Sequence, residues 1–103
     1  MKTYPKKSID IMIETPLLAR VTELLDELGV TGYTVLPALA GRGKDGVWHR
    51  DGVIGRAGSL IMVFCILDAD RLQPVLDRLF DLVKDQIGIV TVTDVEVIRP
   101  DHF

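Results

Sequence analysis

The sequence is poor in cysteine, in aromatic residues and in surplus positive charge, and it has no long hydrophobic run. A single cysteine among 103 residues excludes an internal disulfide framework and a thiol-rich metal cluster. A formal net charge of -3 argues against a general nucleic-acid binder, because such proteins grip phosphates with a basic surface. No segment approaches the roughly 20 apolar residues that span a bilayer, and no signal-peptide pattern follows Met1. We therefore expect one cytoplasmic domain over residues 1–103, without a nucleic-acid partner and without membrane insertion.

Hydrophobic periodicity predicts a β-α-β unit at the start of the chain. Ser8–Glu14 alternates polar and apolar residues, which is the pattern of a strand with one buried face. Thr15 offers a helix N-cap, leucines and a valine at helical spacing follow up to Leu28, and Gly29 favours a helix end. A second strand is predicted over Tyr33–Leu39.

A second β-α-β unit follows later in the chain. Leu60–Leu67 is a continuous apolar run, which predicts a strand buried on both faces. Asp68 or Asp70 is placed to cap a second helix, and a last strand is predicted over Ile89–Ile98. The apolar residues of that helix are expected on its inner face: Leu72, Val75, Leu76, Leu79, Phe80 and Val83.

The order of elements predicts an α+β fold of the ferredoxin-like, split β-α-β class. Both helices would cover one face of a four-stranded antiparallel sheet. The opposite face would then expose apolar side chains. Each of them forgoes roughly 1.5–3 kcal/mol of burial free energy if it stays in contact with water. We therefore expect several subunits to pack through their open faces, as a homotrimer.

The stretch Ala40–Ser59 differs sharply from the rest of the sequence. It contains six of the nine glycines, and its four basic against two acidic residues give it a formal charge of +2. A loop of roughly 20 residues in so small a domain is usually functional or disordered. Gly41 and Gly43 permit close backbone approach, and Arg42 adds a charged donor for phosphate or carboxylate, although a merely flexible loop is the alternative.

Several single residues allow more than one interpretation. Trp48, with Arg50 beside it, could anchor a partner protein, or Trp48 could fold back onto its own subunit. His49 could bind a metal or respond to pH, and a free surface histidine is the alternative. Arg99 could reach a bound anion or form a surface salt bridge. Cys65 is expected to be buried and inert, and no local spacing assembles a catalytic apparatus, so we expect no enzyme.

Three segments together resemble the PII signal-transduction superfamily: Ile9–Glu14, Gly29–Val35 and Gly88–Arg99. The pattern is most similar to the PII-like proteins associated with carboxysomes and bicarbonate transporters. The resemblance implies a trimer that binds an adenine nucleotide in clefts between subunits. It also implies regulation of an inorganic-carbon or ion transporter, or of an enzyme, through the loop between the second and third strands. This T-loop corresponds to residues 40–59.

The resemblance also implies a site for each part of the nucleotide. Thr34 would face the adenine or ribose, and Met12, Phe64 and Ile66 would line the base pocket. The Gly-Arg-Gly turn at 41–43 would approach the phosphates, where bicarbonate is a second ligand implied near the arginine.

The resemblance implies three further residues around the nucleotide. Gly88 with Ile89 would occupy a loop over the nucleotide, and Arg99 would come from an adjacent subunit. Lys84–Gly88 lacks the glycine- and lysine-containing phosphate loop of nitrogen-regulatory PII proteins, which favours AMP, ADP or cyclic AMP over ATP.

Two other function classes remain open at this point. A trimeric ferredoxin-like protein of metal tolerance would use His49, His102 or acidic side chains, and would bind a divalent metal tightly without nucleotide. A small ferredoxin-like enzyme would show turnover that one polar substitution abolishes.

Overall fold

The computed structural model describes residues 1–44, 46–49 and 60–103. Over these residues the chain forms six strands, two α-helices and one 3-10 turn. In chain order they are β1 (Tyr4–Glu14), the 3-10 turn (Thr15–Leu17), α1 (Leu18–Glu27), β2 (Thr34–Pro37), β3 (Ala40–Gly43), β4 (Gly46–His49), β5 (Leu60–Leu67), α2 (Ala69–Val83) and β6 (Gly88–Val97).

Four of the strands form one antiparallel sheet in the order β2-β5-β1-β6. The central strand β1 pairs with β5 from Lys7 opposite Leu67 to Glu14 opposite Leu60. It also pairs with β6, where Ile13 lies opposite Gly88. This topology confirms the predicted ferredoxin-like fold with both β-α-β units in one sheet.

Both helices pack on the same face of this sheet and enclose the core. Alternate residues of β1 and β5 point into it, and the apolar faces of α1 and α2 cover them. The side chains with less than 2% exposure are Ile9, Ile11, Ile13, Leu25, Leu67, Leu79, Val21, Val63 and Val75. Burying each of these contributes about 1.5–3 kcal/mol, so this cluster fixes the position of both helices on the sheet.

The prediction that Leu60–Leu67 is buried on both faces is wrong for the single chain. Its burial alternates, with Val63 and Leu67 in the core and Met62 and Phe64 only half-buried. The physical reason is that helices cover one face of the sheet and leave the other open.

The ends of the helices differ in part from the prediction. Glu14 is the N-cap residue of the 3-10 turn and Leu17 is that of α1, so Thr15 is the N-cap of neither, and no side chain caps either end. Asp68 is the N-cap residue of α2, but its carboxylate accepts a hydrogen bond from Lys6 Nζ at 2.5 Å instead of capping the helix. Phe80 is 64% exposed and does not belong to the inner face, because its position on α2 turns it away from the sheet.

The C-terminus of α1 confirms the role predicted for Gly29. Its φ is +74°, the left-handed conformation that glycine adopts without strain. The Val30 amide donates to the Leu25 carbonyl at 3.0 Å and the Gly29 amide to that of Asp26 at 3.1 Å. This is a Schellman motif, and it ends the helix at Leu28.

The first half of the expected loop Ala40–Ser59 is a β-hairpin rather than an irregular loop. Strands β3 and β4 pair antiparallel, with Gly43 opposite Gly46 at the turn. Gly46 has a φ of +106°, which a residue with a side chain rarely adopts. Residues 50–59 lie outside the described part of the chain.

Candidate functional site

The face of the sheet that the helices leave uncovered, called the open face below, contains most of the predicted base pocket. Strand register places five of the predicted nucleotide contacts on it: Met12, Thr34, Phe64, Ile66 and Ile89. Three of them, Met12, Phe64 and Ile66, are half-buried, and Ile89 is 64% exposed. These five side chains are therefore accessible to a ligand or a second subunit that packs on the open face.

Cross-strand pairing arranges the open face into rows. One row is apolar and comprises Leu36, Met62, Met12 and Ile89. The next row comprises Thr34, Phe64, Asp10 and Thr91. Direct cross-strand neighbours have Cβ atoms about 4.5–5.5 Å apart, so a ligand that touches one member of a row lies near the next.

The predicted residues fall at two opposite ends of the sheet. The hairpin end, where β2 finishes and β5 begins, holds Gly41–Gly43 and Gly88. The tail end, where β2 begins and β5 finishes, holds Thr34 and Ile66, with Arg99 just beyond β6. At about 3.3 Å per strand residue, the two ends of β5 lie about 20 Å apart. Thr34 lies opposite Phe64, about 13 Å along β5 from the hairpin end.

A cavity of about 550 Å³ opens at the tail end. Thr34, Phe64 and Ile66 line it, so three predicted base contacts share one pocket. Tyr33 and Phe103 line it as well, and sequence reasoning assigned neither of them to the site. Only their aromatic character could have indicated such a role, because nothing local in the sequence shows that the end of the chain returns to β2.

Two contacts, from Thr31 and from Lys6, hold His102 and Phe103 against this cavity. The Thr31 hydroxyl donates to the carbonyl oxygen of His102. Lys6 Nζ lies 5.4 Å from the centroid of the Phe103 ring and 2.5 Å from Asp68 Oδ1. His102 itself has a φ of +75°, and its Nε2 lies 3.0 Å from Asp101 Oδ2. His102 and Phe103 therefore form one wall of the pocket.

The hairpin end offers an exposed cationic side chain. Arg42 pairs with Val47 across the hairpin, and its guanidinium makes no hydrogen bond or ion pair with any described residue. A Cβ built on Gly43 would meet no atom within 4 Å. The guanidinium is therefore available to an anion that approaches the glycine backbone.

Gly88 and Ile89 do not lie in a loop, because they begin strand β6. Gly88 pairs with Ile13 and is turned toward the helices, where an added Cβ would lie 3.4 Å from both Ile13 Cγ2 and the Met12 carbonyl oxygen. Continuous pairing with β1 holds both residues in the sheet. A contact of either residue with nucleotide stays a prediction.

Two of the three predicted partner contacts belong to β4. Trp48 pairs with Gly41 and His49 with Ala40, whereas Arg50 falls outside the described residues. Arg99 is exposed at the tail end and makes no ion pair within the described part of the chain. Arg99 and Arg42 thus lie at opposite ends of the sheet.

Cys65 is buried in the core, as predicted, with 2% of its surface exposed. Burial raises the pKa of the thiol to about 11, and the nearby Asp10 carboxylate adds to the effect. The thiolate, which is the reactive form, is therefore scarce at neutral pH.

Two kinds of feature are absent from residues 1–44, 46–49 and 60–103. No three His, Cys, Asp or Glu side chains come together there in a group that could hold a metal ion. No helix in these ranges is long and apolar enough to cross a membrane.

The family model described as "Nitrogen regulatory protein P-II" matches residues 6–102. The chain belongs to this family. P-II proteins are signalling regulators, which agrees with the predicted family and function class. Among proteins with curated functions, none matches the chain in sequence.

Solved structures of CPII, a nitrogen regulatory PII-like protein from Thiomonas intermedia K12, are similar to this P-II family chain. The CPII structure bound to ADP, AMP and bicarbonate is 31% identical, with a TM-score of 0.84 over 96% of this chain and 93% of CPII. CPII bound to ADP and bicarbonate is 32% identical, with a TM-score of 0.81 over 96% and 94%. The apo form of CPII is 29% identical, with a TM-score of 0.76 over 96% and 98%.

Proposed function

We propose that this P-II family chain is a non-enzymatic regulator that binds AMP, ADP or cyclic AMP in clefts between the subunits of a homotrimer. Bicarbonate is its second ligand, and the segment 40–59 contacts a regulated transporter of inorganic carbon or ions, or an enzyme. The similarity to CPII over nearly the whole length of both chains, with ADP, AMP and bicarbonate bound to CPII, is the observation that supports this most. The chain itself acts in the cytoplasm.

The separation of the two groups of site residues supports a cleft between chains. Ile66 lies about 20 Å along β5 from the hairpin end that holds Arg42, and Thr34 lies about 13 Å from that end. A nucleotide that touches both Ile66 and Arg42 would then take its phosphate contacts from one chain and its base contacts from a neighbour. Arg99 lies at the tail end, so it would contact the nucleotide from the same chain that supplies Thr34.

The open face supports assembly into a trimer. Its apolar row includes Leu36, 42% exposed, and Ile89, 64% exposed, with Met12 and Met62 between them. Burial of such side chains stabilises by about 1.5–3 kcal/mol each, and a closed cyclic arrangement leaves none of these faces in water. The same packing would bring a hairpin end beside a neighbouring tail end.

The chemistry of the two ends fits an adenine mono- or diphosphate. The tail-end pocket is lined by Phe64, Ile66 and the hydroxyl-bearing Thr34, which suits a flat base with polar edges. Arg42 supplies one fixed positive charge beside glycine backbone. The segment between Lys84 and Gly88 contains no lysine. The negative charge of a third phosphate would therefore gain little further neutralisation.

Ligand binding would be reported through the hairpin and the residues that follow it. A ligand shifts an equilibrium only by its different affinity for two states. Arg42 would contact the phosphate or bicarbonate in one hairpin position and not in another, and Trp48, His49 and Arg50 would then meet the partner in that position. The partner is thereby coupled to the nucleotide through the Gly-Arg-Gly turn.

Calorimetric titration with AMP, ADP, ATP and cyclic AMP, each with and without bicarbonate, tests the proposal. We expect binding of AMP or ADP that is stronger than that of ATP, and a change in affinity when bicarbonate is present. If none of the four nucleotides binds at millimolar concentration, the proposal is rejected.

A mixing experiment tests the cleft between chains. Arg42→Ala and Phe64→Ala chains are each expected to lose binding as homotrimers. When they are refolded together at equal amounts, about one quarter of the clefts regain both intact halves, so binding returns to that extent. A site built within one chain would recover nothing, and circular dichroism of each variant excludes misfolding as the cause.

A further inference from the structure

We propose that Phe103 is the aromatic wall that receives the base in the tail-end pocket, and that Lys6 is a positioning residue that holds this wall in place. The inference rests on the proposed nucleotide site and adds two residues to it. Neither residue was singled out by the sequence for this role, because they lie at opposite ends of the chain.

Aromatic side chains are concentrated at this one cavity. The sequence has six aromatic residues, and Tyr33, Phe64 and Phe103 line the same space of about 550 Å³. That volume lies within the range of small-molecule sites. Stacking on an aromatic ring contributes substantially to the binding of a nucleobase and tolerates any base with a π-face. Phe103 on the tail and Phe64 on the sheet thus give the pocket two aromatic elements from separate parts of the fold.

Lys6 connects this wall to the sheet and to α2. Its side chain is only 11% exposed, and its ammonium lies 2.5 Å from Asp68 Oδ1 and 5.4 Å from the centroid of the Phe103 ring. A cation that is shielded from water interacts with a ring more strongly than an exposed one. Asp68 is the N-cap residue of α2, so the ammonium is fixed by a rigid element and orients the ring.

A second contact keeps the tail close to β2. The Thr31 hydroxyl donates to the His102 carbonyl oxygen. Thr31 precedes β2, which begins at Thr34, and His102 precedes Phe103. The tail is therefore tied at His102 to the edge of the pocket and at Phe103 to Lys6. Loss of the Lys6 contact would leave the ring free to rotate while the chain stays attached.

Neighbouring residues provide a matched control. Lys7 also forms an ion pair at 2.5 Å, with Asp94, but it lies on the helix-facing side of β1 and contacts neither Phe103 nor Asp68. Lys6→Met and Lys7→Met remove the same charge from adjacent positions and keep the aliphatic stem. Only Lys6→Met should disturb the wall.

The experiment measures the affinities of the full chain for AMP and for CMP by calorimetry, and hydrogen–deuterium exchange of a peptide that covers residues 98–103. Phe103→Leu is expected to weaken AMP binding about tenfold and to lower the preference for AMP over CMP, whereas Phe103→Trp restores both. Lys6→Met is expected to weaken AMP binding several-fold and to accelerate exchange at the tail. The double variant Lys6→Met/Phe103→Leu should lose little more than Phe103→Leu alone, because Lys6 acts through the ring.

Two results would overturn the inference and leave the proposed function standing. If the wild-type chain binds AMP while Phe103→Leu and Lys6→Met bind it equally well, the wall has no role and the nucleotide site stands without it. If Lys7→Met weakens binding as much as Lys6→Met, the effect is one of general charge and not of positioning. A wild-type chain that binds no nucleotide would reject the proposed function together with this inference.

Discussion

Thr34 and Phe64 lie directly opposite each other across strands β2 and β5. They line the same cavity, and the Gly-Arg-Gly turn lies at the other end of the sheet. The pairing has a consequence for any ligand: a group that reaches the Thr34 hydroxyl also meets the Phe64 ring. In the proposed site, the phosphate contacts of such a ligand come from the hairpin of a neighbouring chain.

Replacement of the exposed Arg42 guanidinium should weaken nucleotide binding. Arg42→Ala is expected to cost about 1.5–3 kcal/mol of binding free energy if the contact to phosphate is direct and charged. Isothermal titration with ADP measures the loss. Arg20→Ala, which removes the same charge from the exposed surface of α1, should leave the affinity unchanged. Equal affinities of wild type and Arg42→Ala would remove Arg42 from the site.

A charge on the open face should break the assembly. Leu36→Asp places a carboxylate in the apolar row beside Met62, and light scattering should then show a mass near the 11.4 kDa of one chain instead of three times that value. Phe80→Asp is the matched control, because Phe80 is exposed on α2, on the opposite side of the sheet. A wild-type chain that is already monomeric would contradict the trimer.

The glycine at the end of α1 should not tolerate a side chain. Gly29→Ala places a Cβ at a φ of +74° and 2.9 Å from Arg71 Nη1, which should lower the free energy of unfolding by about 1–2 kcal/mol. Chemical denaturation measures this change. Gly32→Ala, where a Cβ meets nothing within 4 Å, should stay within about 0.5 kcal/mol of wild type. Similar losses in both variants would refute the conformational explanation.

Cys65 should make stability depend on alkaline pH. Its pKa is raised from 9.0 to about 11 in the folded protein, chiefly by burial. The folded state therefore keeps its thiol proton more tightly, and the stability linked to it is complete below pH 9 and lost as pH rises to 11. This loss is about 2 kcal/mol.

Denaturation of wild type and Cys65→Ala at pH 8, 9, 10 and 11 isolates this effect, because all other ionisations are common to both proteins. The stability advantage of wild type should shrink along this series. If the difference in unfolding free energy between the two proteins stays constant along the pH series, the thiol has the same pKa in the folded and unfolded states.

Local patterns in the sequence were sufficient for the fold but not for every boundary. Alternation in Ser8–Glu14 located β1, although the strand begins earlier, at Tyr4, because pairing with Val97 extends it. Gly29 was placed correctly as the end of α1, since a left-handed residue is a local requirement. Phe80 was misplaced because helical spacing alone does not define how wide the buried face of α2 is.

The sequence by itself determined the ferredoxin-like order of elements and the apolar open face, because the periods of 2 and 3.6 residues that indicate strands and helices are local patterns. The nucleotide contacts were predicted from the resemblance to the PII superfamily and stay predictions. Only the tertiary structure decided which of those residues lie together. Pairing of β2 with β5 set Thr34 beside Phe64 and put Arg42 at the far end, and folding of the tail brought Phe103 to Lys6. Such contacts join residues far apart along the chain, and no local period encodes them.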